Sequence, residues 1–129
     1  MKFLLNIGLI WVLNSCGNST AENNSPTAGS TEKETTLSGE QMFKVNCSQC
    51  HMPDKDFIAP SMAGVESRWK DKTLLYAFVK NSQEVIQRDQ YAKDLFIKWK
   101  QTPMLPFPQL SEENIDAIFD YCNEVAAAK

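Results

Sequence analysis

Only one histidine, His51, occurs among the 129 residues of the chain. Positive charge is also scarce: 13 lysines and arginines stand against 16 aspartates and glutamates, for a formal net charge of −3. This balance leaves no basic surface for nucleic acid, so no nucleic-acid partner is expected. Strand-like alternation is missing, and the apolar run at residues 3–13 is far shorter than the roughly 20 residues that span a bilayer. The length and the helical spacing of apolar residues predict one small helical domain.

The N-terminus has the layout of a secretory signal, with Lys2 before the apolar run. The run ends in LNSC, residues 13–16, which resembles the lipobox of bacterial lipoproteins. The resemblance implies that residues 1–15 are removed and that Cys16 receives the lipid. Several acyl chains on one cysteine suffice for stable anchoring. We expect a lipid-anchored protein of the cell membrane or outer membrane, facing the periplasm or the cell exterior; cleavage at another site is the alternative.

Residues 16–37 are almost devoid of apolar side chains and rich in Asn, Ser, Thr and Glu. Such a segment cannot bury enough surface to offset the entropy lost on ordering it, so it is predicted to be a flexible tether. The predicted organisation is therefore a signal peptide at 1–15, a lipidated cysteine and tether at 16–37, and a folded domain at 38–129.

The pentapeptide CSQCH, residues 47–51, has the spacing of a covalent haem attachment site. Cys47 and Cys50 would bond the two vinyl groups of one porphyrin, and His51 would bind its iron. Three alternatives use the same cysteines: a thioredoxin-like redox pair, half of a zinc site, or a disulfide in a haem-free binding module. No strand pattern precedes Cys47, as a redox pair would require. Zinc would need two further ligands, for which His51 and Cys122 are a poor set.

The surroundings of this motif resemble those of class I cytochromes c. Gly39 and Phe43 lie eight and four residues before Cys47, and Ile118 and Tyr121 occupy the matching positions near the C-terminus. The resemblance implies an all-α, class I cytochrome c fold. In that fold the N- and C-terminal helices cross, and helices and loops wrap around one covalent haem c.

A second stretch, APSMAGV at residues 59–65, resembles the family segment that follows the motif, with Met62 in place of leucine. The resemblance implies that the Pro60 carbonyl accepts a hydrogen bond from the His51 ring and that Met62 contacts the haem. The family's glycine-rich loop is replaced by MPDKDF, residues 52–57, so the path of this loop is left open.

Met104 is the expected second axial ligand of the iron. It lies in TPMLPFPQL, residues 102–110, which resembles the methionine loop of the family. The other four methionines are in the signal, next to His51, on the helix before the motif, or at the apolar contact position: Met1, Met52, Met42 and Met62. The alternative is that Met104 only fills the core. Trp99 and Phe107 are expected to line the haem pocket.

Three residues have the character of helix N-caps: Asp71, Asp89 and Ser111. The apolar side chains after Asp89 would share one side of a helix: Tyr91, Ala92, Leu95, Phe96 and Trp99. On the last helix, Cys122 belongs to the apolar face and is expected to pack as a small hydrophobic residue.

Histidine–methionine ligation leaves no open position on the iron, so the resemblance implies an electron carrier rather than an enzyme. The expected function is one-electron transfer in a bacterial respiratory or redox chain. The expected partners are redox proteins, such as a membrane oxidase or reductase, and no small-molecule substrate. The alternative is a haem enzyme or a gas or redox sensor in which the sixth ligand is displaceable.

Overall fold

The structure, a computed structural model, describes residues 37–129. Five α-helices occur in this range, together with a short 3₁₀ helix at Val65–Arg68: α1 at Gly39–Asn46, α2 at Lys72–Lys80, α3 at Ser82–Arg88, α4 at Gln90–Lys98 and α5 at Glu112–Ala127. Residues 37–129 contain no strand, so the expected all-α fold is confirmed. None of the helices in that part of the chain has the length and apolarity to cross a membrane.

Residues 1–36 lie outside the described part of the chain. The predicted signal peptide, the lipidation of Cys16 and nearly all of the predicted tether fall there and stay predictions. The same holds for the domain boundary placed between residues 37 and 38.

Side-chain caps explain where the helices begin. The predicted caps at Asp71, Asp89 and Ser111 are all confirmed, since each side chain accepts a hydrogen bond from a backbone N–H in the first turn that follows. Ser38 caps α1 in the same way. The cap at Asn81 was not predicted; it starts α3 directly after α2 ends.

α1 and α5 cross at very short range. A Cβ atom on Gly39 would lie 1.9 Å from the backbone oxygen of Ala117, a distance no side chain tolerates. One turn along α1, Phe43 packs on Tyr121 with ring centroids 5.6 Å apart. The predicted crossing and the roles of Gly39 and Phe43 in it are therefore confirmed.

The predicted apolar side of α4 is confirmed, and the structure adds two details. Tyr91 is 39% exposed, and it packs edge-on against Trp69, with ring centroids 5.1 Å apart. Trp99 follows the last residue of α4 as its C-cap, because the chain turns away there. Lys100 and Gln101 then adopt left-handed backbone conformations, with φ of 57° and 58°, which redirect the chain toward Met104.

Candidate haem site

One large cleft opens between the helices, with about 1050 Å³ of unfilled space including its mouth. Its walls come from the end of α1, from residues 58–62, from α2 to α5, and from the segment 99–110. Among residues 37–129, no aspartate, glutamate, lysine or arginine lines it. The cleft therefore suits a large and mostly apolar ligand.

The two cysteines of the pentapeptide reach this cleft through a tight turn at the end of α1. The backbone N–H groups of Cys50 and His51 both donate to the Cys47 carbonyl, at 3.1 and 3.0 Å. All three side chains line the cleft. Cys47 and Cys50 are unpaired thiols and form no disulfide with each other. Burial raises the pKa of the Cys47 thiol to about 11, so it is neutral at neutral pH.

The His51 ring is held by one backbone oxygen. Its Nδ1 lies 2.7 Å from the Pro60 carbonyl oxygen, which can only accept, so the proton sits on Nδ1. Burial lowers the pKa of His51, against a smaller opposing effect of the Pro60 hydrogen bond. Nε2 of the neutral ring is therefore left as a lone-pair donor in the cleft, which is the form that binds metals.

Three backbone hydrogen bonds set the path of the loop after His51, which the sequence left open. Ala59 N–H donates to Cys50 O at 3.0 Å, Met62 N–H donates to Met52 O at 3.1 Å, and Ala63 N–H donates to Pro53 O at 2.7 Å. These bonds fold the loop back on the motif without a glycine. They also place Met62 in the wall of the cleft, where its side chain is buried.

Met104 also lines the cleft and is partly buried. Its backbone oxygen accepts a hydrogen bond of 3.0 Å from the hydroxyl of Ser82, which is 1% exposed at the start of α3. Phe107 N–H donates to the Val79 carbonyl at 3.3 Å and fastens the same segment to α2. Sequence reasoning missed Ser82, since the partner it holds is 22 residues away and no motif marks the pair.

Trp99 carries a polar group without a partner. Its indole nitrogen Nε1 is buried and forms no hydrogen bond, although the side chain lines the cleft. Leaving such a donor unsatisfied costs about 1–3 kcal/mol, so a ligand with acceptor oxygens would stabilise this arrangement. Haem carries two carboxylates, whose oxygens can accept such a hydrogen bond. Phe107 contributes an apolar wall of the same cleft.

These residues fit haem well and fit the alternatives poorly. Two unpaired thiols, a neutral imidazole, a thioether and an unsatisfied N–H donor converge on one apolar cleft. A helix, not a strand, precedes Cys47. Within residues 37–129, no three side chains of His, Cys, Asp or Glu gather as a metal site, which a zinc centre would require.

Cys122 lies apart from these groups. It is fully buried in the core, it does not line the cleft, and burial raises the pKa of its thiol to about 12. Its environment is that of a packed hydrophobic residue.

Comparison with known proteins agrees with this geometry. The sequence model of the family described as cytochrome c matches residues 37–126. A solved structure, cytochrome c from Rhodothermus marinus, is similar with a TM-score of 0.56 and 32% sequence identity, over 70% of this chain and 76% of that one. No curated protein matches the chain. The chain therefore belongs to the class I cytochrome c family, whose typical members are electron carriers, and its cofactor is covalently bound haem c.

Proposed function

We propose that this protein is a one-electron carrier of a bacterial respiratory or redox chain, with histidine–methionine ligation of its haem iron. Cys47 and Cys50 would form the thioethers, and His51 and Met104 would bind the iron axially. The observation that carries the proposal is that all four side chains line one cleft, to whose walls residues 37–129 contribute no charged side chain. Bound haem c supplies an iron that alternates between the ferrous and ferric states.

The protein's own contribution is to keep the two proposed iron ligands, His51 and Met104, in fixed positions. The Pro60 carbonyl orients the His51 ring and keeps its proton on Nδ1. Ser82 fixes the backbone of Met104, and three prolines at 103, 106 and 108 lower the entropy lost in ordering that segment. Rigid ligands favour electron transfer because little must move when the charge of the iron changes. With His51 and Met104 both holding the iron, no position on it would be left for a substrate.

A pair of matched variants tests the ligation. Met104→Leu and Met62→Leu both replace a methionine of the cleft wall with a residue of similar volume. Met104→Leu should abolish the near-infrared band from methionine to ferric iron and should let the reduced protein bind carbon monoxide. Met62→Leu should retain the band and bind carbon monoxide poorly.

The opposite results would point to the rival function. Rapid carbon monoxide binding by the reduced wild-type protein would refute the carrier with closed ligation and favour a haem enzyme or sensor.

Haem staining after denaturing electrophoresis tests the attachment, since only thioether-linked haem survives it. Cys47→Ala with Cys50→Ala should remove the stain, whereas Cys122→Ala should keep it.

We further propose that Cys16 is lipidated and anchors the protein to a cell membrane or outer membrane, facing the periplasm or the exterior. The LNSC segment after an apolar run supports this. Its partners would then be redox proteins of that membrane, such as an oxidase or reductase. The intact mass of the membrane-bound species should match a lipidated chain starting at Cys16. Cys16→Ala should move the protein to the soluble fraction, and an unlipidated mature wild type would contradict the anchor.

A further inference from the structure

The Pro60 carbonyl that holds the His51 ring belongs to a peptide group with a second hydrogen bond. The same peptide group carries the N–H of Ser61, which donates to Oδ1 of Asp56 at 2.9 Å. Its carbonyl oxygen lies 2.7 Å from Nδ1 of His51. A carboxylate, one peptide group and the imidazole are therefore joined in series by two hydrogen bonds.

The chain around this peptide group is held in place by a cation. The guanidinium of Arg68 donates to the carbonyl oxygens of Ser61 and Ala63, at 2.6 and 3.1 Å. Arg68 and Asp56 line the same small pocket, yet Asp56 forms no salt bridge with any residue of the range 37–129. Within that range, the negative charge of Asp56 therefore acts on the Ser61 N–H without being paired to a cation.

A peptide group transmits the effect of a charged hydrogen-bond partner, because its N–H and its C=O share one resonance system. An anionic acceptor at the N–H raises the negative charge on the carbonyl oxygen, since hydrogen bonds in series polarise one another. The Pro60 oxygen then accepts more strongly from Nδ1 of His51, which makes the ring a better electron donor at Nε2. Stronger donation to the iron favours the ferric over the ferrous state.

We propose that Asp56 is a positioning residue of the haem site, whose carboxylate acts through the Pro60–Ser61 peptide group to strengthen His51 as a ligand and to lower the reduction potential of the haem. The inference rests on the proposed function, since it assumes that His51 binds the iron. The carboxylate comes from the segment MPDKDF, residues 52–57, which gives this loop a role beyond connecting His51 to Pro60.

Two substitutions in the haem-loaded protein separate the charge of Asp56 from its hydrogen bond. Asp56→Asn keeps an acceptor oxygen of the same reach but removes the charge. It should raise the equilibrium constant for reduction at least about threefold, which equals about 28 mV for one electron, in a spectroscopic redox titration. Asp56→Ala removes the hydrogen bond as well and should raise the constant at least as much.

Asp54→Asn is the matched control. Asp54 lies in the same loop and the change in formal charge is identical, but its carboxylate pairs with Lys129 and not with the Ser61 N–H. The titrations are run at 10 mM and at 1 M salt, where the screening length falls from about 30 Å to about 3 Å. At 1 M salt the control should stay within about 1.5-fold of wild type, while Asp56→Asn keeps its threefold effect because a contact through one peptide group is not screened.

NMR of the reduced protein follows the hydrogen bond from His51 to Pro60 directly. The Nδ1–H resonance of His51 should move upfield in Asp56→Asn and further upfield in Asp56→Ala, because a proton in a weaker hydrogen bond is less deshielded. It should keep its position in Asp54→Asn. A purely structural role of Asp56 would lower the stability of Asp56→Ala and leave this resonance unchanged in Asp56→Asn.

An unchanged Nδ1–H resonance in Asp56→Asn would overturn the role of Asp56 and leave the carrier function standing. Equal potentials in Asp56→Asn and Asp54→Asn at 1 M salt would do the same. In the oxidised wild type, the ring protons of His51 should show large hyperfine shifts from the bound iron. Their absence would instead refute His51 as a ligand and the proposed function, and this inference with them.

Discussion

Gly39→Ala tests the crossing of α1 and α5 directly. Helix propensity alone predicts a gain, since alanine is more favourable than glycine in a helix by at most about 1 kcal/mol. The tertiary structure predicts a loss. The new Cβ would meet the Ala117 oxygen at 1.9 Å and the carbonyl carbon at 2.6 Å.

Both contacted atoms belong to the backbone of α5, so no side-chain rotation relieves the clash. Restoring an ordinary contact of about 3.4 Å would require the helices to part by about 1.5 Å. That movement would loosen the packing of Phe43 on Tyr121 and open the buried layer around Ile118. Overpacking of this kind costs about 1–3 kcal/mol or more, which exceeds the helix-propensity gain. We expect a net loss of about 2 kcal/mol, or a fall in Tm of about 8–16 °C.

The assay is urea and thermal unfolding of the haem-loaded protein, followed by circular dichroism. Gly64→Ala is the comparison variant. Gly64 has a φ of 66°, and a Cβ there would meet nothing closer than the Ser67 hydroxyl at 3.9 Å. Its expected cost is about 1–2 kcal/mol, from left-handed backbone strain alone. A Gly39→Ala protein as stable as wild type, or more stable, would refute the assigned contact between α1 and α5.

Three further changes probe the cap, the core and the cleft. Asp89→Ala should lower the free energy of unfolding by about 1 kcal/mol at pH 7, and Asp89→Asn, which can still cap, should cost less. The hydrogen bond from Ala92 N–H lowers the pKa of the Asp89 carboxyl, so its stabilisation is present above the unfolded-state pKa of about 3.9 and disappears as pH falls through the lowered folded value. Urea unfolding of Asp89→Ala and wild type at pH 7 and near pH 3 should therefore show a shrinking difference; a constant difference would exclude a charge contribution. Cys122→Ser should cost about 1–3 kcal/mol because it buries a hydroxyl in the core, while haem staining should persist; loss of the stain would give Cys122 a part in haem attachment. Trp99→Phe should lower the stability of the haem-loaded protein by about 1 kcal/mol if bound haem satisfies the indole N–H, and a rise in stability would show that this donor stays unpaired.

Local sequence signals, such as helix caps, predicted much of the fold. The caps at Asp71, Asp89 and Ser111 could be predicted because a capping side chain acts on backbone groups within three residues of itself. α3 was not predicted because it is short and because Asn81 alone separates it from α2, as the C-cap of α2 and the N-cap of α3. The sequence extended the apolar side of α4 to Trp99, since helical periodicity does not reveal that the chain turns away at that residue.

The residues of the haem site were predicted from two kinds of sequence information, a local motif and a family resemblance. The spacing of Cys47, Cys50 and His51 is a property of five consecutive residues, so the cofactor could be inferred from the sequence by itself. The resemblance to class I cytochromes c added Met104 and Pro60, which the structure places in the same cleft as His51.

Some features depended on the tertiary structure alone. The hydrogen bond from Ser82 to Met104 joins residues 22 positions apart, and neither residue type predicts this contact. The unpaired indole N–H of Trp99 exists only once distant segments are packed together, and so does a cleft to which residues 37–129 contribute no charged side chain. Covalent attachment of a cofactor needs a fixed local spacing, so the amino-acid sequence determined it. The lining of the cleft depends on which distant side chains folding brings together, and only the tertiary structure decided that.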